Sequence, residues 1–113
     1  TENIPLKIVV FNNGNHGMVR QWQKIFYNNR FSASELTHHT PDYVKLAEAM
    51  GAVGLRMEQK SEVKDVFEKM LEINDKPVLV DCVVDPEDMV FPMVPAGGSN
   101  DVIILNEEDL KKL

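Results

Sequence analysis

Cysteine is nearly absent from this chain: Cys82 is the only one in 113 residues. A single thiol excludes an internal disulfide framework and fits a reducing compartment, so a cytoplasmic location is expected. Positive charge is also scarce. Twelve Lys plus Arg stand against 18 Asp plus Glu, a formal net charge of −6. That balance argues against a nucleic-acid binder and an anionic-membrane binder, because it does not offset phosphate charge. No apolar run approaches the roughly 20 residues that cross a bilayer. The start, Thr1-Glu2-Asn3-Ile4-Pro5, has no initiating Met, no basic region and no apolar signal core. It runs almost at once into a strand-like segment, so a piece of a longer chain is expected. No repeat and no low-complexity stretch is present.

What is present alternates between two periods. Leu6 to Phe11 is almost continuously apolar and β-branched, then stops at Asn12-Asn13-Gly14. This predicts a buried strand of a parallel sheet ending in a turn. From Gly17 to about Asn28, Met18, Val19, Trp22, Ile25 and Phe26 fall on one helical stripe. Asn29 to His39 is polar and irregular and reads as a loop. Thr40 is placed to cap a helix with Pro41 at its first position, Val44, Ala47 and Met50 on its inner face, and Gly51 at its end. Ala52 to Met57 is a short strand. Ser61 is placed to cap a helix with the stripe Val63, Val66, Phe67, Met70 and Leu71, which stops by Asn74-Asp75. Val78 to Val84 is a second buried strand. The order β-α-loop-α-β-α-β predicts an α/β layer architecture with a mostly parallel sheet and flanking helices. Three strands are few for such a sheet, so it reads as part of a larger one. Asp85 to Asn100 holds three of the six prolines and Gly97-Gly98, and reads as an extended arm. Glu107-Glu108-Asp109 and Lys111-Lys112 read as a solvated terminal helix or fray.

Ligands of open α/β sheets bind beyond the carboxyl ends of the strands. The first strand ends there in Asn12-Asn13-Gly14-Asn15-His16-Gly17 and leads into a helix. Amide and main-chain oxygens are hard ligands that suit Mg²⁺, which commonly bridges to phosphate. Free N–H groups at the helix start favour the same anion. From composition alone a plain turn is the better reading, since Asn and Gly are what any such connection prefers. His38-His39 lacks the accompanying Cys or carboxylates of a metal centre and reads as a solvated loop. His16 reads as a turn residue and Cys82 as an inert core residue.

The segment Asn12 to Gln23, Asn-Asn-Gly-Asn-His-Gly-Met-Val-Arg-Gln-Trp-Gln, preceded by Ile8-Val9-Val10-Phe11, resembles the second half of the thiamine-diphosphate motif. Gly17-Met18-Val19-Arg20-Gln21-Trp22 narrows the resemblance to the large catalytic subunit of acetohydroxyacid synthase (acetolactate synthase). Asp81 to Glu87, Phe91-Pro92-Met93-Val94-Pro95, Phe26-Tyr27 with Asn29-Arg30-Phe31, and Pro41 to Ala47 fit the same family, so the resemblance covers roughly Asn3 to Ile104.

This resemblance implies a partial three-layer thiamine-diphosphate-binding fold, with residues 1–104 forming the C-terminal part of the pyrophosphate-binding domain, an arm at about 85–100, and a tail at 105–113. It implies that Asn13 gives Mg²⁺ a side-chain oxygen and Asn15 a main-chain oxygen, with Gly17 and Met18 also at the cofactor. Met18, Val19 and Trp22 are implied to line the substrate pocket, with Trp22 favouring 2-oxobutanoate over pyruvate as acceptor, and Ala96 of the arm reaching that pocket. Periodicity alone makes Met18, Val19 and Trp22 ordinary core residues. No catalytic residue is implied within this chain. The family's Gly-Asp-Gly segment, whose Asp is the other protein ligand of Mg²⁺, is missing from it. The activating glutamate lies in a separate domain from the partner subunit, and FAD binds outside this segment. The implied partners are the remainder of the catalytic subunit, a second copy of it and a small regulatory subunit. The implied activity is decarboxylative carboligation of pyruvate with a second 2-oxo acid in isoleucine, valine and leucine biosynthesis. Another carboligase, oxidase or decarboxylase using the same cofactor, or a non-catalytic α/β module, are the alternatives that this sequence leaves open.

Overall fold

The computed structural model describes residues 4–36 and 38–112. The chain divides into two compact units: Thr1–Asn15 with Leu36–Pro86, and His16–Glu35 with Glu87–Leu113.

The first unit is a three-stranded parallel sheet. Strands β1 (Lys7–Asn12), β2 (Val53–Met57) and β3 (Val78–Val83) lie in the order β1-β3-β2, so the last strand in sequence is the central one. The register pairs Lys7 and Val53 with Val78, and Phe11 and Met57 with Cys82. Val78 and Val80 are fully buried, as the apolar run of a central parallel strand requires. Side chains alternate between the two faces. Val9, Val53, Leu55, Met57, Val78, Val80 and Cys82 face Val66, Phe67, Met70 and Ile73, which come from helix α3 (Val63–Glu72) and its end. Cys82 is thus part of the core, as expected.

The opposite face carries helix α2 (Tyr43–Ala49), whose Ala47 is buried. Gly54 of β2 lets that helix come close. A Cβ there would sit 2.6 Å from the Val44 carbonyl oxygen and 2.8 Å from its Cα. Helix, sheet and helix make the expected three layers, in part.

Two caps differ from expectation. The α2 N-cap is Asp42, not Thr40. Its Oδ1 accepts the Val44 and Lys45 N–H groups at 3.1 and 3.3 Å, while the Thr40 hydroxyl donates back to Leu36 O at 2.7 Å. A carboxylate outcompetes a hydroxyl as acceptor, and Pro41 keeps the chain before it extended. Ser61 likewise does not cap α3. The chain enters through a 3-10 turn, Lys60–Glu62, closed by a capping box between Gln59 and Glu62. The Glu62 carboxylate accepts N–H bonds from Glu58 and Gln59, which lower its pKa. Gly51 does end α2, at φ +80°, where a left-handed residue is needed. Met50 departs from the predicted inner face and is 79% exposed.

The second unit holds helix α1 (Gly17–Phe26) and the chain from Glu87 onward. That chain is less extended than expected. It turns at Pro95–Gly98, where Gly98 N–H donates to Pro95 O at 2.9 Å, and forms an antiparallel bridge between Met93 and Ile104. Ile104 is buried at 2% exposure. A 3-10 turn, Asp109–Lys112, follows.

Candidate functional site

The strand β1 runs one residue further than the apolar segment, to Asn12, before the turn begins. Three short amides then fold the backbone on themselves. Asn12 Oδ1 accepts the Gly14 N–H and Asn13 Oδ1 accepts the Asn15 N–H, each at 3.0 Å. The Asn15 amide returns a bond to Asn13 O at 2.6 Å. Gly14 lies between them at φ +65°, a conformation that a side chain would disfavour. A cleft of about 290 Å³ opens at the carboxyl ends of β1 and β3, lined by Asn12, Asn13, Gly14, Thr40, Val83, Val84 and Pro86. This is the place the open-sheet rule designates for a ligand.

The donor set is neutral oxygen. Asn13 Oδ1 spends one lone pair on Asn15 N–H and keeps the second. Among the described residues, no group of three or more His, Cys, Asp or Glu is placed to hold a metal. The half-buried turn therefore fits a hard cation that draws its negative charge from another ligand. It does not fit a soft-metal centre.

Behind the turn lies a polar row that sequence reading missed. Asp81, 1% exposed on β3, accepts Asn12 Nδ2 at 3.0 Å and Arg56 Nε at 3.0 Å. Arg56 Nη2 reaches Asp42 Oδ1, also at 3.0 Å. The Asp42 carboxyl is held below its usual range by the Lys45 backbone N–H first and by Arg56. The signal was present in the sequence, as one acid inside Val-Leu-Val-Asp-Cys-Val-Val.

In the second unit, α1 begins at Gly17 with His16 as its N-cap, and no side chain caps its first turn. His16 is exposed. Met18 and Val19 are each 52% exposed, so they are not the core residues that periodicity indicated. Together with Trp22, Gln23 and Tyr27 they line a mostly apolar cleft of about 330 Å³. The Trp22 ring meets Phe26 edge-on at 5.6 Å. Ala96 sits in an exposed turn and is not among the residues lining that cleft. A larger cleft of about 450 Å³, bounded by Lys24, Phe26, Met89 and Leu110, contains no residue of the motif.

The side of α1 that is buried carries a polar residue. Gln21, 4% exposed, pairs with the main chain of Val90: its Oε1 accepts N–H at 2.8 Å and its Nε2 donates to O at 3.1 Å. Arg20 and Lys24 both bond Glu87, and Arg20 stacks over Phe31 at 4.6 Å. Sequence reading took Gln21 only as part of a motif. Gln21 lies beside the apolar stripe, not in it, so periodicity gave no signal that it is buried. His38 and His39 are exposed in a turn, as expected of a solvated loop.

Residues 1–82 match the family described as thiamine pyrophosphate enzyme, C-terminal TPP binding domain. This chain belongs to that family. Thiamine pyrophosphate, another name for thiamine diphosphate, is thus the cofactor of the domain to which the Asn12–Asn15 turn belongs. Among its curated relatives is the acetolactate synthase large subunit of Mycobacterium tuberculosis, 52% identical over 105 residues, covering 90% of this chain and 17% of the relative. The acetolactate synthase large subunit of Corynebacterium glutamicum is 46% identical, covering 88% and 16%. The mitochondrial acetolactate synthase catalytic subunit of Aspergillus candidus is 37% identical, covering 96% and 15%. The chain therefore spans about 15–17% of the length of these curated relatives.

Proposed function

We propose that this thiamine pyrophosphate domain segment works as part of an acetolactate synthase large subunit, a transferase that joins decarboxylated pyruvate to a second pyruvate or to 2-oxobutanoate. The observation that carries the reading is the amide turn Asn12–Asn15 at the carboxyl end of β1, running in sequence straight into Met18-Val19-Arg20-Gln21-Trp22. The names of the relatives support it.

In this reading Asn13 Oδ1 and the Asn15 main-chain oxygen hold Mg²⁺, which neutralises the diphosphate. Thiamine diphosphate supplies the electron sink for decarboxylation and carbon–carbon bond formation. The chain's own residues bind and orient. Gly17 and Met18 border the cofactor. Met18, Val19 and Trp22 offer an apolar wall that excludes water and gauges the acceptor's side chain, which their shared cleft supports. No residue here moves a proton. The remaining cation ligand, the activating glutamate and the FAD site belong to other parts of the subunit and its partner copy, and a small regulatory subunit completes the assembly. Residues 1–104 would form the domain's C-terminal part and 105–113 its tail. The setting is the cytoplasm and the products feed isoleucine, valine and leucine synthesis. No described helix is long and apolar enough to cross a membrane.

The test is to supply the full-length polypeptide with pyruvate, Mg²⁺ and thiamine diphosphate, with and without 2-oxobutanoate. Formation of 2-acetolactate, and of 2-aceto-2-hydroxybutanoate when both acids are present, is expected. No acetolactate under those conditions would overturn the reading.

A further inference from the structure

Asp81 takes no part in the function described so far, yet it is one of the most deeply buried side chains among the described residues. A buried carboxylate is costly unless it is paired and its lone pairs are used. Arg56 Nε uses Oδ2, and the Arg56 guanidinium is shared with Asp42. Oδ1 is committed to something else, the Asn12 side-chain amide at 3.0 Å.

That bond has a directional consequence. A carboxylate accepts and never donates, so Asn12 must turn its NH₂ toward Asp81 and its Oδ1 away. Facing away, Oδ1 meets the Gly14 N–H at 3.0 Å. Gly14 at φ +65° then sets the direction in which the chain presents Asn13 and Asn15. The relay is linear: Arg56 fixes Asp81, Asp81 orients the Asn12 amide, and Asn12 holds the turn.

We propose that Asp81 is a positioning residue for a divalent cation and diphosphate, acting through Asn12 on the turn that carries Asn13. It rests on the reading of that turn given above. Groups that orient the ligands of a metal typically change its affinity about 10–100-fold when removed.

The experiment is a binding cycle on the full-length polypeptide. Dissociation constants for Mg²⁺ and for thiamine diphosphate are measured by calorimetry, beside the melting temperature of the cofactor-free protein, for wild type, Asp81→Asn, Asn12→Ala and the double variant. Asp81→Asn keeps the size of the side chain but adds a donor, so the Asn12 amide loses its imposed orientation. Each single variant should bind Mg²⁺ about 10–100-fold more weakly. The double variant should bind no more weakly than Asn12→Ala alone, because Asp81 acts only through Asn12. Wild-type constants in Asp81→Asn, even with a lowered melting temperature, would overturn the proposal, as would losses that multiply in the double variant. If Asp81→Asn does not fold, wild-type constants in Asn12→Ala alone overturn it. Failure of the wild type to bind either ligand would overturn the functional reading and this inference together, whereas wild-type binding with unaltered variants overturns only the inference.

Discussion

Glu87 shows how much one exposed carboxylate can be perturbed by its neighbours. The hydrogen bond from Lys24, then that from Arg20, brings its pKa down from 4.5 to about 2. The folded value is the lower one, so the associated stability is present above pH about 4.5 and fades as pH falls toward 2. The side chain is 54% exposed, and screening keeps that stability small. A carboxyl ¹³C titration should place the Glu87 midpoint near 2, and Lys24→Ala should move it back toward 4.5. A wild-type midpoint already at 4.5 would refute the pairing in solution. Trp22 makes the other prediction at this scale. One methylene is worth about 1–3 kcal/mol in an apolar pocket. Trp22→Leu in the full-length polypeptide should therefore lower the preference for 2-oxobutanoate over pyruvate by roughly 10-fold or more, read from product ratios in competition. An unchanged ratio would remove Trp22 from the acceptor pocket.

Among the elements, β2 and α2 depend on the missing side chain of Gly54. A Cβ 2.6 Å from a backbone oxygen cannot be absorbed by a rotamer change, so the helix must move. Gly54→Ala should cost about 1–3 kcal/mol, the range for overpacking, seen as a lower denaturant midpoint. An unchanged midpoint would mean that α2 packs less closely than described. Among the described residues, sequence reading found the three α-helices and the three strands because the periods are strong: the apolar runs at Val78–Val83 and Lys7–Asn12, and the stripes of α1 and α3. Its errors were local. Thr40 and Ser61 looked like caps, but Asp42 and the Gln59–Glu62 pair carry better acceptors nearby. The turn itself was legible, since Asn and Gly at a strand end are visible in the letters; a role in chemistry came only from the resemblance. The Asp81–Asn12–Arg56 row was not, because its members lie 25 and 69 residues apart and meet only through the strand order. The exposure of Met18 and Val19 was hidden from periodicity, though not from the resemblance: a stripe tells which residues share a face, not whether that face is covered.

For the molecule as a whole, large apolar side chains remain in the open. Phe11 is 74% exposed, Met50 79% and Leu71 61%. Exposed apolar area on this scale marks surfaces that other protein normally covers. Among the described residues, the turn offers neutral oxygens and no cluster of acidic side chains beside them. Titrating the isolated chain with Mg²⁺ and thiamine diphosphate should therefore give weak or no binding by calorimetry, and tight one-to-one binding would contradict this.

The central place of β3 has a consequence for synthesis. Among the described residues, neither β1 nor β2 pairs with the other; each finds its ladder on Val78–Val83. Residues leave the ribosome from the N-terminus at about 5–20 per second. Within these three strands β1 waits for its ladder, since its register reaches from Lys7 to Val78. Closing loops of that length is slow and leaves strands bare. Of these three strands, the apolar edge of β1, Ile8, Val9, Val10 and Phe11, stays without its β3 ladder until Val78–Val83 has been made.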